Sequence, residues 1–104
     1  MGTYVLIHGA FHGGWAWDKI TPLLEKEGHT VLAPDLPGHG NDKTPVADIT
    51  LQLYTDTVSR ILDAQTEPVI LVGHSLGGIS ISTAAQQRPD KVKTLVYLAA
   101  LLQR

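Results

Sequence analysis

Four short runs of apolar residues are spaced along the chain, at residues 4–7, 30–33, 69–72 and 94–99. They are rich in Val, Ile and Leu, and their apolar positions do not alternate with polar ones. Continuous runs of this length are typical of strands that are buried on both faces, as in a parallel sheet. The pattern therefore predicts four parallel strands.

Segments with helical spacing lie between these runs. The first, residues 15–26, places Ile20, Leu23 and Leu24 on one face. Within it, Pro22 lacks an N–H group and limits how far upstream a regular helix extends. We therefore predict a helix in this segment with these three apolar residues on one face and Gly28 just after its C-terminus.

The second helical segment starts at Thr50, a predicted N-cap residue. Its apolar face consists of Tyr54, Val58, Ile61 and Leu62. The third segment follows residue 75 and continues to about residue 87. Strands that alternate with helices predict right-handed crossovers and a doubly wound α/β fold with a parallel sheet of about four strands. Because no repeat or interdomain linker interrupts the pattern, residues 1–104 are predicted to form a single domain.

Composition narrows the classes of function. The chain has 104 residues, a net charge of −2 and no cysteine. The lack of cysteine excludes disulfides and thiolate metal sites, and the charge gives no reason to expect nucleic acid as a partner. No apolar run approaches the roughly 18 residues that span a bilayer, and the N-terminus lacks the features of a secretory signal. We therefore expect a cytoplasmic protein with no membrane partner and no cofactor.

The sequence GHSLGG at residues 73–78 matches the pattern G-x-S-x-G, directly after an apolar run and directly before a helical segment. A tight strand-to-helix turn of this kind exposes the serine hydroxyl beside the N–H groups and partial positive charge of the helix N-terminus. The pattern therefore predicts Ser75 as a catalytic nucleophile. The structural alternative is a glycine-rich turn that merely contains serine; the glycine patterns of a P-loop and of a dinucleotide site are absent.

The sequence HGAFHGGW at residues 8–15 follows the first apolar run. Acyl transfer needs two N–H donors on the oxyanion, one from the residue after the nucleophile and one from a loop of this kind. We predict Leu76 as the first donor. A backbone N–H near Ala10 or Phe11 is predicted as the second.

Two histidines in this loop, His8 and His12, lie four residues apart. A zinc pair at this spacing requires a helix, and the glycines around these residues argue against one, so no metal site is predicted. Both histidines are interpreted first as packing residues that hydrogen-bond to backbone. They are also candidate auxiliary bases for Ser75, and Phe11 is a further auxiliary candidate.

Three motifs together resemble the N-terminal part of the α/β-hydrolase superfamily, and within it the plant-type methylesterase and hydroxynitrile lyase group with related bacterial esterases. They are HGAFHGGWAW at residues 8–17, PDLPGHG at residues 34–40 and GHSLGG at residues 73–78. The resemblance covers the whole chain. By position it implies Ser75 as the nucleophile, with Ala10 and Leu76 as oxyanion donors. It implies structural roles for Asp35 and His39.

The resemblance also separates two chemistries. The lyases of this group typically have Thr in place of Gly9 and an acidic residue in place of His74. Both positions match the esterases instead, so the resemblance favours hydrolysis of small carboxylic esters over cyanohydrin cleavage.

This chain also departs from the family pattern. Family members continue after the fourth strand with a cap, further strands, and then the acid and the histidine of the triad, so the chain resembles a truncated α/β-hydrolase core. A weak serine hydrolase is therefore expected, because an unassisted serine hydroxyl is a weak nucleophile. A non-catalytic truncated or engineered fragment and a hydroxynitrile lyase-like enzyme are the alternatives. Residues 94–99 would form an apolar edge strand, which predicts a homo-oligomer paired along that edge.

Overall fold

The computed structural model describes residues 2–9, 13–74 and 76–98. It contains four strands and three helices in alternation. The strands are β1 (Thr3–Ile7), β2 (Thr30–Leu32), β3 (Val69–His74) and β4 (Val92–Leu98), and the helices are α1 (Thr21–Lys26), α2 (Leu51–Asp63) and α3 (Leu76–Gln87). Short 3₁₀ turns lie at Gly14–Trp17, Val46–Asp48 and Pro89–Lys91.

The four strands form one parallel sheet in the order β2-β1-β3-β4. β1 is an inner strand, since Tyr4 pairs with Val31 on one side and with Ile70 on the other. The predicted α/β fold with a parallel sheet of four strands is confirmed. All four carboxyl ends therefore lie at the same edge of the sheet.

Helices cover both faces of the sheet, as a doubly wound arrangement requires. The α2–α3 face holds the larger core cluster, which is made of Val5, Ile7, Leu36, Tyr54, Val58, Leu62, Val69, Leu71, Ile81 and Ala84. The other face holds a smaller cluster of Leu6, Trp17 and Val72, against which Leu24 of α1 packs. Alternate residues of β1 and β3 enter opposite clusters, which explains why their sequences are continuously apolar.

Helix α2 follows its sequence pattern closely. Its N-cap residue is Thr50, whose side-chain oxygen accepts a hydrogen bond of 3.0 Å from the N–H of Leu53. Val58 and Leu62 are fully buried in the larger cluster, and Ile61 packs against it from a half-buried position. The predicted boundary and apolar face of this helix are confirmed.

The helix predicted for residues 15–26 is wrong in its extent, and its three apolar residues do not form one continuous helical face. The chain forms a 3₁₀ turn at Gly14–Trp17 and then the six-residue α1, in which Pro22 occupies the first turn. Ile20 and Leu23 are 37% and 65% exposed, because the break between the two elements destroys the common face that continuous spacing would give. Trp17 fills the core instead, with only 2% of its surface exposed.

Among the residues that the structure describes, no helix combines the length and the apolar character needed to cross a bilayer.

Candidate active site at the carboxyl edge of the sheet

One residue separates β3 from α3. The strand ends at His74 and the helix begins at Leu76, so the chain passes from strand to helix across position 75 alone. β1 lies beside β3 with Ile7 paired to Gly73, and the loop that follows β1 therefore begins next to this turn. This strand–turn–helix context is the one that a G-x-S-x-G pattern needs for nucleophilic chemistry.

The residues predicted for catalysis divide into two groups. Ser75, Ala10, Phe11 and His12 lie outside the described residues. Leu76 is the first residue of α3, and the first N–H groups of a helix have no partner within the helix. The role of this N–H group as an oxyanion donor stays a prediction.

His8 is fully buried and hydrogen-bonds to backbone through both ring nitrogens. Its Nε2 accepts a bond of 2.9 Å from the N–H of Leu36. Its Nδ1 lies 2.8 Å from the carbonyl oxygen of Gly9, and it must be the donor there, because a carbonyl oxygen only accepts. These contacts make His8 a neutral structural histidine that joins the loops after β1 and β2.

Asp35 joins the same two loops through its carboxylate. Oδ1 accepts a bond of 2.6 Å from the N–H of Gly14, and Oδ2 accepts one of 3.0 Å from the N–H of Asn41. The Asn41 and Gly14 N–H groups stabilise the charged form and hold the pKa of Asp35 below its usual value of 3.8. The carboxylate thus accepts one hydrogen bond from the loop after β1 and one from its own loop after β2.

Two glycines leave room for this carboxylate and for the close approach of the loops. A Cβ atom on Gly14 would lie 2.2 Å from the carbonyl oxygen of Ala33, so the backbone of the first loop rests directly on the second. Gly40 has φ of +55°, and a Cβ atom there would lie 2.2 Å from Asp35 Oδ1. A larger residue at Gly14 would push the two loops apart, and one at Gly40 would collide with the Asp35 carboxylate of its own loop.

A second aspartate organises the outer part of the loop after β2. Asp42 Oδ1 accepts hydrogen bonds from the side chain of Thr44 and from the N–H groups of Gly38 and Thr44, at 2.9 and 2.8 Å for the two amides. The Thr44 hydroxyl and these amides lower the pKa of Asp42 to about 2. His39 donates from Nδ1 to the carbonyl oxygen of Pro37, and its ring lies 5.0 Å from that of His8. The loop is therefore held by its own polar groups.

The described part of the chain has surface cavities at both edges of the sheet. The smaller, of about 460 Å³, is lined by Trp15, Asp18 and Asp35 among others, and it borders the joined loops. The larger, of about 630 Å³, lies at the amino ends of the strands, between Thr3 and Lys93, and is remote from the predicted chemistry. Within residues 2–9, 13–74 and 76–98, no group of three or more His, Cys, Asp or Glu side chains is placed to hold a metal ion.

The sequence pattern did not identify the contacts between Asp35 and Gly14 or between His8 and Leu36. Each pair is more than twenty residues apart, and only the adjacency of β1 and β2 brings its members together. The available signal was an aspartate and a histidine each placed just after an apolar run and near glycines. That signal indicates a crowded loop but does not name the partner.

Comparison with known proteins agrees with this geometry. A family model described as "Alpha/beta hydrolase family" matches residues 4–104. The chain is 41% identical over 103 residues to Methylesterase 1 of Arabidopsis thaliana, which covers 95% of the chain and 39% of that protein. It is 44% identical over 102 residues to Alpha-hydroxynitrile lyase of the same plant, covering 95% of the chain and 40% of that protein.

The fold also matches solved structures. The crystal structure of polyneuridine aldehyde esterase superposes with a TM-score of 0.90 at 35% identity, over 95% of this chain and 40% of that one. The chain thus spans about two fifths of the length of the relatives that it matches. The resemblance found in the three sequence motifs is confirmed, and the relatives include both esterases and a lyase. With α3 following β3 directly in a parallel sheet and a family match over residues 4–104, the chain belongs to the alpha/beta hydrolase family.

Proposed function

We propose that the chain is a serine hydrolase of small carboxylic esters in which Ser75 attacks the carbonyl carbon. The observation that carries this proposal is the passage from β3 to α3 across a single residue at the carboxyl edge of the sheet. A serine in such a turn stands beside the N-terminal amides of the helix. Relatives named as esterases support an ester as the substrate.

In the proposed mechanism, the negative charge that develops on the carbonyl oxygen is stabilised by two backbone N–H groups. One belongs to Leu76, at the positive end of α3. The other belongs to Ala10 or Phe11, in the loop whose flanking residues His8 and Gly14 are bonded to the neighbouring loop. Donors held by a rigid frame need no reorganisation during the reaction, which is the main source of oxyanion stabilisation. The tetrahedral intermediate then breaks the ester C–O bond, and the alcohol leaves with a proton that replaces, by way of solvent, the one lost by the Ser75 hydroxyl. Water next hydrolyses the acyl-serine bond, which yields the carboxylic acid and restores the Ser75 hydroxyl.

The activity proposed for this chain is weak. His8, one of the two candidate auxiliary bases, uses both ring nitrogens on backbone groups and is unsuited to accept the serine proton. His12, the other candidate, lies outside the described residues. Catalysis by oxyanion stabilisation and substrate binding alone still reaches about 10³–10⁴-fold over water in other serine enzymes.

A hydroxynitrile lyase is the second candidate reaction, and the relative named Alpha-hydroxynitrile lyase favours it. Ester hydrolysis stands ahead of it, because Gly9 and His74 match the esterase members of the resemblance. A non-catalytic role in assembly or ligand binding would leave Ser75 unreactive.

Covalent labelling distinguishes a reactive Ser75 from a non-catalytic role, and the relative turnover of an ester and of a cyanohydrin then distinguishes the hydrolase from the lyase. We expect a fluorophosphonate to modify the wild-type chain once, and fragment ions from the tryptic peptide to place the adduct on Ser75. Ser80, which is fully buried in α3, and Ser82, which is bonded to Tyr97, serve as internal controls in the same peptide. An adduct on either control serine, or no adduct at all, would exclude the proposed mechanism.

We also propose that a second copy of the chain pairs along residues 94–99. β4 is an edge strand of the sheet formed by the described residues, with β3 as its neighbour, and an edge strand offers N–H and C=O groups to a further strand. Tyr97 on this strand is 54% exposed. Sedimentation at micromolar concentration is expected to show a dimer or a larger species; a strictly monomeric chain would refute the pairing.

A further inference from the structure

The loops after β1 and β2 are bonded to each other on both sides of residues 10–12. On the N-terminal side, His8 Nε2 accepts the N–H of Leu36. On the C-terminal side, the N–H of Gly14 donates to Asp35 Oδ1 at 2.6 Å. The two contacts reach neighbouring residues of the same partner loop, so a single rigid support holds both flanks of the segment.

We propose that Asp35 is a positioning residue for the oxyanion donor of residues 10–12: its carboxylate fixes the Gly14 end of the segment, while the ring of His8 fixes the other end. The inference rests on the proposed function, in which Ala10 or Phe11 supplies the second N–H. Asp35 acts through the backbone of Gly14 and takes no part in bond making.

The chemistry of the contact requires a carboxylate. Both oxygens of Asp35 accept hydrogen bonds, one from Gly14 and one from Asn41. An asparagine side chain has one accepting oxygen, so its NH₂ group would face one of these two N–H donors. A longer glutamate does not fit, because Gly13 and Gly40 already approach the carboxylate so closely that a Cβ atom on either would lie within 2.8 Å of Oδ1.

Asp42 provides a matched control on the same loop. It also accepts backbone N–H bonds, but its partners Gly38 and Thr44 belong to its own loop. Replacing Asp42 therefore perturbs the loop after β2 without removing a direct bond to the loop after β1. Comparing the two variants therefore distinguishes two effects. D35N removes the bond that supports the loop after β1, whereas D42N only loosens the loop after β2.

The first measurement is amide hydrogen exchange at Gly14 by NMR in the wild-type chain, D35N and D42N. The Asp35→Asn change is expected to speed exchange at Gly14 by about tenfold or more, since a charge-assisted bond to a backbone N–H is lost or weakened. The Asp42→Asn change is expected to leave Gly14 exchange near the wild-type rate. Unchanged exchange in D35N, or equal acceleration in both variants, would overturn the proposal.

The second measurement is the concentration dependence of fluorophosphonate labelling. We expect D35N to lower the maximal labelling rate while the half-saturating concentration stays the same, because a displaced donor weakens transition-state stabilisation more than binding. A purely structural role would instead lower the active fraction and leave the rate of the remaining protein unchanged. If the wild-type chain is not labelled, the proposed function fails, whereas the exchange result still decides whether Asp35 holds Gly14.

A titration of the wild-type chain tests the contact even if D35N does not fold. The lowered pKa of Asp35 means that the contact persists below pH 3.8 and is lost as the pH falls through the folded-state pKa. The amide resonances of Gly14 and Asn41 should report that transition together. Among the described residues, His8 and Asp42 act electrostatically on this carboxylate, and Asp18 lines the same cavity. If the chemical shift of the Gly14 amide does not change as Asp35 titrates, the result would count against the inference.

Discussion

Replacing Ser75 with alanine is expected to abolish both fluorophosphonate labelling and turnover of short-chain activated esters. In the proposed reaction the hydroxyl oxygen of Ser75 forms the covalent bond to the carbonyl carbon. Without this oxygen, no acyl-enzyme can form. The oxyanion donors would remain in the variant. They would have no effect on the reaction, because the carbonyl oxygen becomes negatively charged only after a serine attacks the carbonyl carbon. Initial rates with a chromogenic ester, corrected for hydrolysis in buffer, measure the effect.

Ser82→Ala is the matched control for this variant. Ser82 lies on α3, seven positions after Ser75, and its hydroxyl bonds to the carbonyl oxygen of Gly78 and to Tyr97. The same change of chemistry at this position should leave the labelling rate close to wild type. Turnover that survives Ser75→Ala would place the reaction elsewhere in the chain. Equal losses in both variants would attribute the effect to folding.

Leu71→Ala is expected to lower the free energy of unfolding by about 2–5 kcal/mol. Leu71 is fully buried in the middle of β3, where it pairs with Val5 and Leu95 and packs in the larger core cluster. Truncation removes the transfer free energy of the side chain and leaves a cavity that the flanking strands cannot close. For a domain whose total stability is about 5–15 kcal/mol, this is a large fraction.

Leu23→Ala tests the specificity of that effect with the same substitution. Leu23 lies in α1 and is 65% exposed, and surface substitutions of this kind usually stay within about 0.5 kcal/mol. Urea unfolding followed by circular dichroism gives the midpoint and the slope for both variants. Comparable losses in the two leucine variants would contradict the burial pattern of the sheet.

The strands could be predicted from the sequence because burial on both faces leaves few polar positions. β1 and β3 alternate between two core clusters, so every residue of runs such as 69–72 meets apolar neighbours. The order of the strands could not be predicted in the same way. The order depends on which strands pair with β1. The apolar runs are too similar in length and composition to show which of them are its neighbours.

The error at residues 15–26 has a different cause. Apolar residues at helical spacing predict a common face only when the helix is continuous, and the chain turns between Trp17 and Thr21. Trp17 therefore reaches the core while Leu23 does not. Local spacing contains no information on whether a short element will be interrupted before a proline.

The roles of the loop residues depend on contacts distant in sequence. The first interpretation of His8, a packing residue that hydrogen-bonds to backbone, is confirmed, but its partner Leu36 could not be predicted from residue type or spacing. The pairing of Asp35 with Gly14 likewise requires β1 and β2 to be adjacent. Sequence patterns indicated where the chemistry should lie, but not which polar groups are already engaged.

The inner position of β1 has a consequence for how the chain acquires its fold. Tyr4 pairs with Val31 on one side and with Ile70 on the other, so β1 gains its second neighbour only after residues 8–68 have been synthesised. Pairings that close such long loops form slowly, because the entropy of closure is lost before the contacts stabilise the product. Until β3 pairs with β1, the N–H and C=O groups on one edge of β1 can form hydrogen bonds with another unfolded chain. The folding yield should therefore fall as the protein concentration rises, because partly folded chains can associate before the sheet is complete. This loss is expected even if the completed sheet is stable.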